Sequence, residues 1–234
     1  MPSSVENTYR MSTRADVRRT YDRIAEHFAS TREYAWPEVE AFVADARPSS
    51  VGLDLGCGNC RHAELLAERT DRVLGIDASR GLLETARSRA RDRDFEVDLL
   101  QGDAARIPLA EGTVDLAVYV ATIQHLPTEA DRRESLDELA RVLAPGGRAL
   151  VSTWSTAHDT FDETESFDTT VEWTLPGGET VDRFYHIYSP AAFKTALEES
   201  ALELVEFELS SGNCYATVGR SEPARGRRSK KEGT

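Results

Sequence analysis

Residues 51–59 read Val51-Gly52-Leu53-Asp54-Leu55-Gly56-Cys57-Gly58-Asn59. A short apolar run breaking into a glycine-rich turn predicts a buried strand, Val51 to Leu55, that delivers the chain to a crevice. Glycines in such a turn leave no Cβ between the backbone and a ligand. The sequence beyond continues the pattern. Helical spacing covers His62–Arg69, Leu82–Arg91 and Thr128–Leu143, the last stopped by Pro145-Gly146-Gly147. Apolar runs at Val73–Ile76, Phe95–Leu100, Val114–Val120 and Ala149–Thr153 read as strands. Strands alternating with helices imply βαβ units, so the expected fold is α/β, a Rossmann-like, doubly wound, mostly parallel sheet.

Upstream, Val17, Tyr21, Ile24 and Phe28 recur at helical spacing and predict a helix over Asp16–Phe28. Pro37 opens a second helix that carries Val39, Phe42 and Val43 toward Pro48. Downstream, Ser155–Asp182 is an acidic, Thr-rich insertion with a hairpin turn at Leu175-Pro176-Gly177-Gly178-Glu179. A helix over Ser189–Ser200 follows, and Leu202–Leu209 pairs with Tyr215–Val218 as a closing antiparallel hairpin. The expected organisation is a flexible N-terminus (1–15), one domain (16–219) and a basic tail (220–234). That tail holds Arg220, Arg225, Arg227, Arg228, Lys230 and Lys231 against Glu222 and Glu232. It reads as a solvated end or as a phosphate-binding arm.

Composition sets the outer bounds. The chain has 234 residues, 40% of them hydrophobic, enough for a buried core. No stretch approaches the ~18 consecutive apolar residues of a membrane span, and Met1–Arg14 lacks an apolar signal region. Three cysteines, an odd number, argue against a disulfide framework and for a reducing cytoplasm, the expected location. The net charge is −13, and Lys194, Lys230 and Lys231 are the only lysines. Acidic excess with scarce lysine is the composition expected of a host adapted to molar salt. At ~1 M salt the Debye length is ~3 Å, so acidity does not exclude an RNA partner. No membrane or DNA partner is expected.

Candidate ligand residues follow from the strand ends. Asp77 closes the second strand, 23 residues beyond Asp54, where a carboxylate accepts both ribose hydroxyls of a nucleotide. Asp103-Ala104 follows the third strand and meets an adenine edge. The expected cofactor residues are Asp54, Gly56, Gly58, Asp77, Ala78, Asp103, Ala104 and, ending the fourth strand, Val120. A pyrophosphate cofactor wants a third glycine and an uncluttered positive helix end. Here Arg61 stands three past Gly58, and Asp54 puts an anion beside the turn. That charge favours the ammonium and sulfonium of S-adenosylmethionine over a phosphate. Cys57 and Cys60 have zinc-like spacing but no second pair, so no metal is expected.

Leu53-Asp54-Leu55-Gly56-Cys57-Gly58, Gly75-Ile76-Asp77-Ala78-Ser79, Gly102-Asp103-Ala104 and Leu143-Ala144-Pro145-Gly146-Gly147 resemble the motifs of class I S-adenosylmethionine-dependent methyltransferases. Three further segments narrow the resemblance: residues 21–32 followed by Trp36-Pro37, Ala121-Thr122-Ile123-Gln124-His125-Leu126, and Arg183-Phe184-Tyr185-His186. They look like the tRNA wobble-uridine carboxymethyl methyltransferases, shared by yeast enzymes and the methyltransferase half of a vertebrate AlkB-like protein. Gln124 departs from that family, which often has a second histidine there, and Cys60 stands where glycine is common. The resemblance implies methylation of the carboxylate of 5-carboxymethyluridine in the tRNA anticodon loop. It also implies a small zinc-ribbon activating subunit in a heterodimer, with contact on the third-strand side near Phe95–Leu100. Arg32, on a loop over the pocket mouth, becomes the expected carboxylate clamp, and His125 the expected hydrogen-bond donor to the acceptor. Methylation of a small molecule such as a quinone precursor, or an inactive scaffold, are the alternative readings.

Other side chains are left with structural roles or lower rank. His27 and His62 are expected as solvated helix residues, and Tyr21 as a packing residue, with contact to the cofactor's methionine end as the alternative reading. Tyr34, Trp36, Trp173 and Tyr185 either stack on a splayed base or fill core, and His186 is a lower-ranked pocket residue.

Overall fold

In the computed structural model, which describes residues 12–220, the sheet grows outward from the strand quoted first. β1 (Ser49–Leu55) buries its last four residues and pairs in parallel with β2 (Thr70–Asp77) on one side and β4 (Val114–Val120) on the other. β3 (Asp98–Gln101) adds to β2, and β5 (Leu143–Trp154) adds to β4, all parallel. β8 (Leu202–Ser210) and β9 (Asn213–Arg220) form the closing hairpin, β9 antiparallel to β5. The order is β3-β2-β1-β4-β5-β9-β8, so strand order reverses between β1 and β4, where open α/β sheets place ligands.

Central strands buried on both faces explain their continuous apolar runs. Leu53, Leu55, Ile76 and Tyr119 face α5 (Glu129–Val142) and α6 (Pro190–Glu198) in one core, with Leu136, Leu139 and Phe193. Val118 and Leu150 face the other way, against Val39 and Val43 of α2 (Pro37–Asp45) and Leu66 of α3 (Ala63–Leu66). The insertion forms its own antiparallel pair, β6 (Phe167–Thr174) and β7 (Thr180–Ile187), around the expected Leu175–Glu179 turn.

Some boundaries move. The helix expected over His62–Arg69 is the single turn of α3, because Glu68 and Arg69 donate to carbonyls three residues back and wind down into β2. Phe95 and Val97 lie outside the third strand, since α4 (Arg80–Arg93) ends at a left-handed Asp94 and the chain needs those residues to return to the sheet. Pro145-Gly146-Gly147 lies within β5 as a bulge against Val114–Leu116. The first helix, α1 (Arg14–Ser30), begins two residues earlier than expected because Thr13 and Asp16 form a capping box. Arg220 closes β9, while the remainder of the tail and residues 1–11 lie outside the described residues.

α1 crosses the carboxyl ends of the strands and docks on the start of α4. Asp22 Oδ1 accepts from Ser79 Oγ at 2.8 Å and from the Gly81 amide at 3.1 Å. Gly81 permits the approach: a Cβ there would stand 2.9 Å from Ala25 Cβ. Replacing Asp22 by Ala removes both bonds and is expected to lower stability by about 1–2 kcal/mol, a midpoint shift of a few degrees in thermal denaturation. Faster proteolysis within α1 is the accompanying change.

Candidate active site

The carboxyl ends of β1, β2, β3 and β4, roofed by α1, enclose a cavity of about 820 Å³. Gly56, at φ +71°, turns the chain out of β1 so closely that a Cβ would come within 2.3 Å of Thr122. Asp77 ends β2 beside it. Its Oδ2 accepts from the Gly58 amide at 2.9 Å and its Oδ1 from the Ser79 amide at 2.8 Å. Each oxygen keeps a lone pair for a second donor. Burial pushes the Asp77 carboxyl up to about 6, against the lowering effect of those amides. Two hydroxyl donors from a ribose are the groups that would complete it.

Gly56, Gly58, Asp77, Ala78, Asp103, Ala104 and Val120 all line this cavity. Asp54 does not. It is 1% exposed and its Oδ2 accepts from the Ala63 amide at 3.0 Å, holding the start of α3 behind the turn. Burial raises its carboxyl to about 7. Asp103 accepts from the Ala105 amide and, at 2.8 Å, from Arg14 Nη1, whose Nε also reaches Asp131 at 3.2 Å. Arg14 thus ties the roof helix to the third-strand loop, a contact that sequence periodicity does not signal. Cys60 adopts φ +61°, which explains why a glycine suits that position.

The opposite end of the cavity is built from α1, the 3-10 turn Ile123–His125 and β7. Arg32 and His125 both line it. Arg32 lies over the Phe28 ring at 4.1 Å and the Trp173 ring at 5.0 Å, and burial lowers the pKa of its guanidinium. Asn59, next to the glycine turn, fixes its loop by donating to the carbonyls of Ala29 (3.2 Å) and Arg32 (2.9 Å). His125 Nδ1 lies 3.0 Å from the Phe184 carbonyl and its Nε2 3.0 Å from the Tyr21 hydroxyl. A carbonyl only accepts, so Nδ1 carries the proton and Nε2 accepts from Tyr21. Burial pulls the imidazole down to about 4, so it stays neutral. In this state both ring nitrogens are engaged and the Tyr21 proton is spent on Nε2, with the Tyr185 hydroxyl next in line behind Tyr21.

Several background residues land differently from expectation. His62 is buried at 6% exposure, pushed down to about 3 by burial, and lines the cavity beside Trp36 instead of facing solvent. His27 is half-buried, its ring 5.3 Å from Trp173. Helical spacing placed both histidines outward, but the packing surface beside each comes from a distant segment. Tyr34 is exposed, whereas Tyr185 is buried in the cavity wall between His125 and Trp154. His186 is held by Asp168 at 2.6 Å outside the cavity lining. Tyr185 and Arg183 share one face of β7, and that i, i+2 relation was the available signal in the sequence.

This arrangement defines a class, the S-adenosylmethionine-dependent methyltransferases. Residues 53–151 match the family model described as Methyltransferase domain, and solved neighbours include S-adenosylmethionine-dependent methyltransferases. The chain is 33% identical over 188 residues to a tRNA (carboxymethyluridine(34)-5-O)-methyltransferase of Arabidopsis thaliana, covering 80% of this chain and 43% of that protein. It is 30% identical over 163 residues to the Schizosaccharomyces pombe protein of that name, covering 68% of each. In fold it matches, with TM-score 0.65 and 16% identity over 88% of this chain and 98% of the other, a Haloferax volcanii methyltransferase solved in complex with the Trm112 methyltransferase activator. The chain belongs to the tRNA carboxymethyluridine methyltransferase family. It spans under half the length of the Arabidopsis relative, and 20% of the length of the mouse one. Among the described residues no helix is long and apolar enough to cross a membrane.

The family's donor, S-adenosylmethionine, fits the Asp77 end, and its binding is expected to follow the protonation of that carboxyl. Because burial has raised Asp77 to about 6, protonation competes with ribose hydroxyls as pH falls. Affinity for S-adenosylhomocysteine, measured by calorimetry, is expected to be flat above pH 6 and to fall up to tenfold per unit below it. Asp77→Asn is expected to cost about a hundredfold at pH 7.5 and to erase that pH dependence. An unchanged pH profile in the variant would contradict this placement.

Proposed function

We propose that the chain transfers a methyl group from S-adenosylmethionine to the carboxylate of 5-carboxymethyluridine at the tRNA wobble position, giving the methyl ester. One observation carries the reading beyond family membership. Arg32 stands in the cavity wall, and no carboxylate pairs with it among the described residues. In a chain of net charge −13, an unpaired half-buried guanidinium at a cavity wall calls for an anion from outside.

The chemistry asks little of a base. With a reference pKa near ~4 the acceptor is already ionised at neutral pH. A neutral His125 with both nitrogens engaged agrees with that, since no proton has to be removed. When bound, S-adenosylmethionine supplies an electrophilic methyl carbon on a sulfonium. The chain's task is orientation. Asp77, with Gly56, Gly58, Ala78, Asp103, Ala104 and Val120, holds the donor, and Asp54 braces the turn beneath it. Arg32 grips one acceptor oxygen by a charge-assisted bond and leaves the other free to react. Phe28 and Trp173, packed against Arg32, exclude water from that pairing. Trp36, with Arg61 stacked on it at 5.0 Å, offers a platform for a splayed anticodon base and a cation for its phosphate.

The same reading extends to the partner. β3 is a four-residue edge strand, backed by the partly buried Phe95, Val97 and Leu99. A small zinc-ribbon activating subunit would cover this edge and pair its exposed backbone. Co-expression with such a subunit is expected to raise soluble yield and activity, whereas full activity of the purified single chain would remove this part of the proposal.

In a deletion strain, mass spectrometry of tRNA nucleosides should show loss of 5-methoxycarbonylmethyluridine and products derived from it, with the free acid accumulating. Persistence of the ester would overturn the assignment. Arg32→Ala is expected to lower kcat/KM by about 10–100-fold, the worth of one charge-assisted hydrogen bond, and Arg32→Lys by less.

A further inference from the structure

Around Trp173 the structure gathers polar groups left without partners. Arg183 Nε, Trp173 Nε1 and His27 Nδ1 are buried and unpaired. The Arg183 guanidinium lies 4.8 Å from the centroid of the Trp173 ring, and the His27 ring lies 5.3 Å from it. Arg183 is 4% exposed, and among the described residues no carboxylate pairs with it. A buried guanidinium without a counter-ion is unfavourable, and its natural complement is an anion. The groups with fixed roles, Arg183 Nε–H and Trp173 Nε1–H, can only donate.

Arg183 reaches the cavity through its two lining tyrosines, Tyr185 and Tyr21. Its Nη1 donates to Tyr185 Oη at 2.7 Å, and Tyr185 lines the acceptor end beside Tyr21 and His125. A guanidinium has no acceptor, so Tyr185 Oη receives from Arg183 and its own proton is turned away from it. At the other end of the network, the Phe184 carbonyl fixes His125 Nδ1 as protonated and Nε2 as the acceptor of Tyr21. The sense of every bond is therefore set from both ends. Tyr185 donates in turn to Tyr21, so the relay runs from Arg183 through both tyrosines to His125, and the Tyr185 hydroxyl is polarised by the positive charge directly behind it.

We propose that Arg183 is a positioning residue that makes the acceptor end of the cavity select an ionised carboxylate over its neutral amide. The inference rests on the carboxylate-methylation reading above and names what enforces it. An entering carboxylate oxygen accepts the Tyr185 O–H hydrogen bond in place of Tyr21 and lies in the field of both Arg183 and Arg32. An amide of the same shape lacks the negative charge, and its NH₂ meets no acceptor on Arg32, Arg183 or Tyr185. Sites built around such groups reject the mismatched analogue strongly.

The test is a tryptophan-emission titration of the full chain, saturated with S-adenosylhomocysteine, using the nucleosides 5-carboxymethyluridine and 5-carbamoylmethyluridine. Wild type is expected to bind the acid at least ~tenfold more tightly than the amide. In Arg183→Gln the preference is expected to fall at least ~threefold, Arg32 holding the remainder, and in Arg183→Lys most of it should return, because the charge and a donor to Tyr185 are restored. Affinity for S-adenosylhomocysteine should be the same in all three. Full acid preference in Arg183→Gln would overturn the inference, as would failure of the lysine variant to restore any preference while folded. If Arg183→Gln does not fold, Tyr185→Phe keeps the ring contacts but removes the relay, and an undiminished preference there is equally fatal. Failure of the functional reading looks different: wild type binds neither nucleoside. Acetate and acetamide are then the probes. An acetate preference that falls in Arg183→Gln sustains the anion-selecting role, and its absence in wild type or its undiminished persistence in that variant ends it.

Discussion

Asp77 and the carboxylate-free guanidinium of Arg32 stand at opposite ends of one cavity, and the rest of the site depends on that separation. At the strand ends stand Asp77 and Asp103, the second partnered by Arg14. At the other end stand Arg32 and, behind Tyr185, Arg183, with no carboxylate paired to either among the described residues. A donor that carries cationic groups and a sugar suits the first end, and an anionic acceptor suits the second. The chain as a whole is strongly acidic, so the arginine end cannot be a by-product of composition. Carboxylates elsewhere keep their charge in water, where each costs little, whereas the arginines here are partly withdrawn from solvent and wait for a counter-charge.

The two ends are mechanically joined. α1 supplies Arg14 to the third-strand loop, Asp22 to the start of α4, Tyr21 to His125 and, just past its end, Arg32 to the acceptor side. Asn59 completes the link from below, because the residue following the glycine turn holds the carbonyls of Ala29 and Arg32. Order in the glycine turn is thereby transmitted to the Arg32 loop through two hydrogen bonds. Preorganisation of this kind is what an orientation-limited methyl transfer requires.

The sheet was legible in the sequence because β1, β2 and β4 are buried on both faces and write themselves as uninterrupted apolar runs ending in turns. The cavity lining at the strand ends was legible for the same reason: strand ends fix where Gly56, Asp77 and Asp103 must stand. Edges were harder. β3 has only four paired residues and a mixed burial pattern, so Phe95 and Val97, apolar for packing, looked like strand. The acceptor end resisted reading most. Tyr21 meets His125 across 104 positions of sequence, and His62 is buried by Trp36 from another element. No local period encodes such contacts. Arg183 and Tyr185 lay just past the acidic Ser155–Asp182 insertion, in a segment singled out only by its family resemblance, although their alternation along β7 marked a shared face.

The central claim is that the acceptor atom is a carboxylate oxygen. It is tested most directly by the bond that the product contains. The purified chain with its activating subunit would be given methyl-labelled S-adenosylmethionine and tRNA bearing the free acid, and the labelled tRNA then treated with mild alkali. The label is predicted to leave quantitatively as volatile methanol, as an ester requires. Label that stays on the tRNA through alkali, as on a base nitrogen, a ring carbon or a ribose oxygen, would contradict the account.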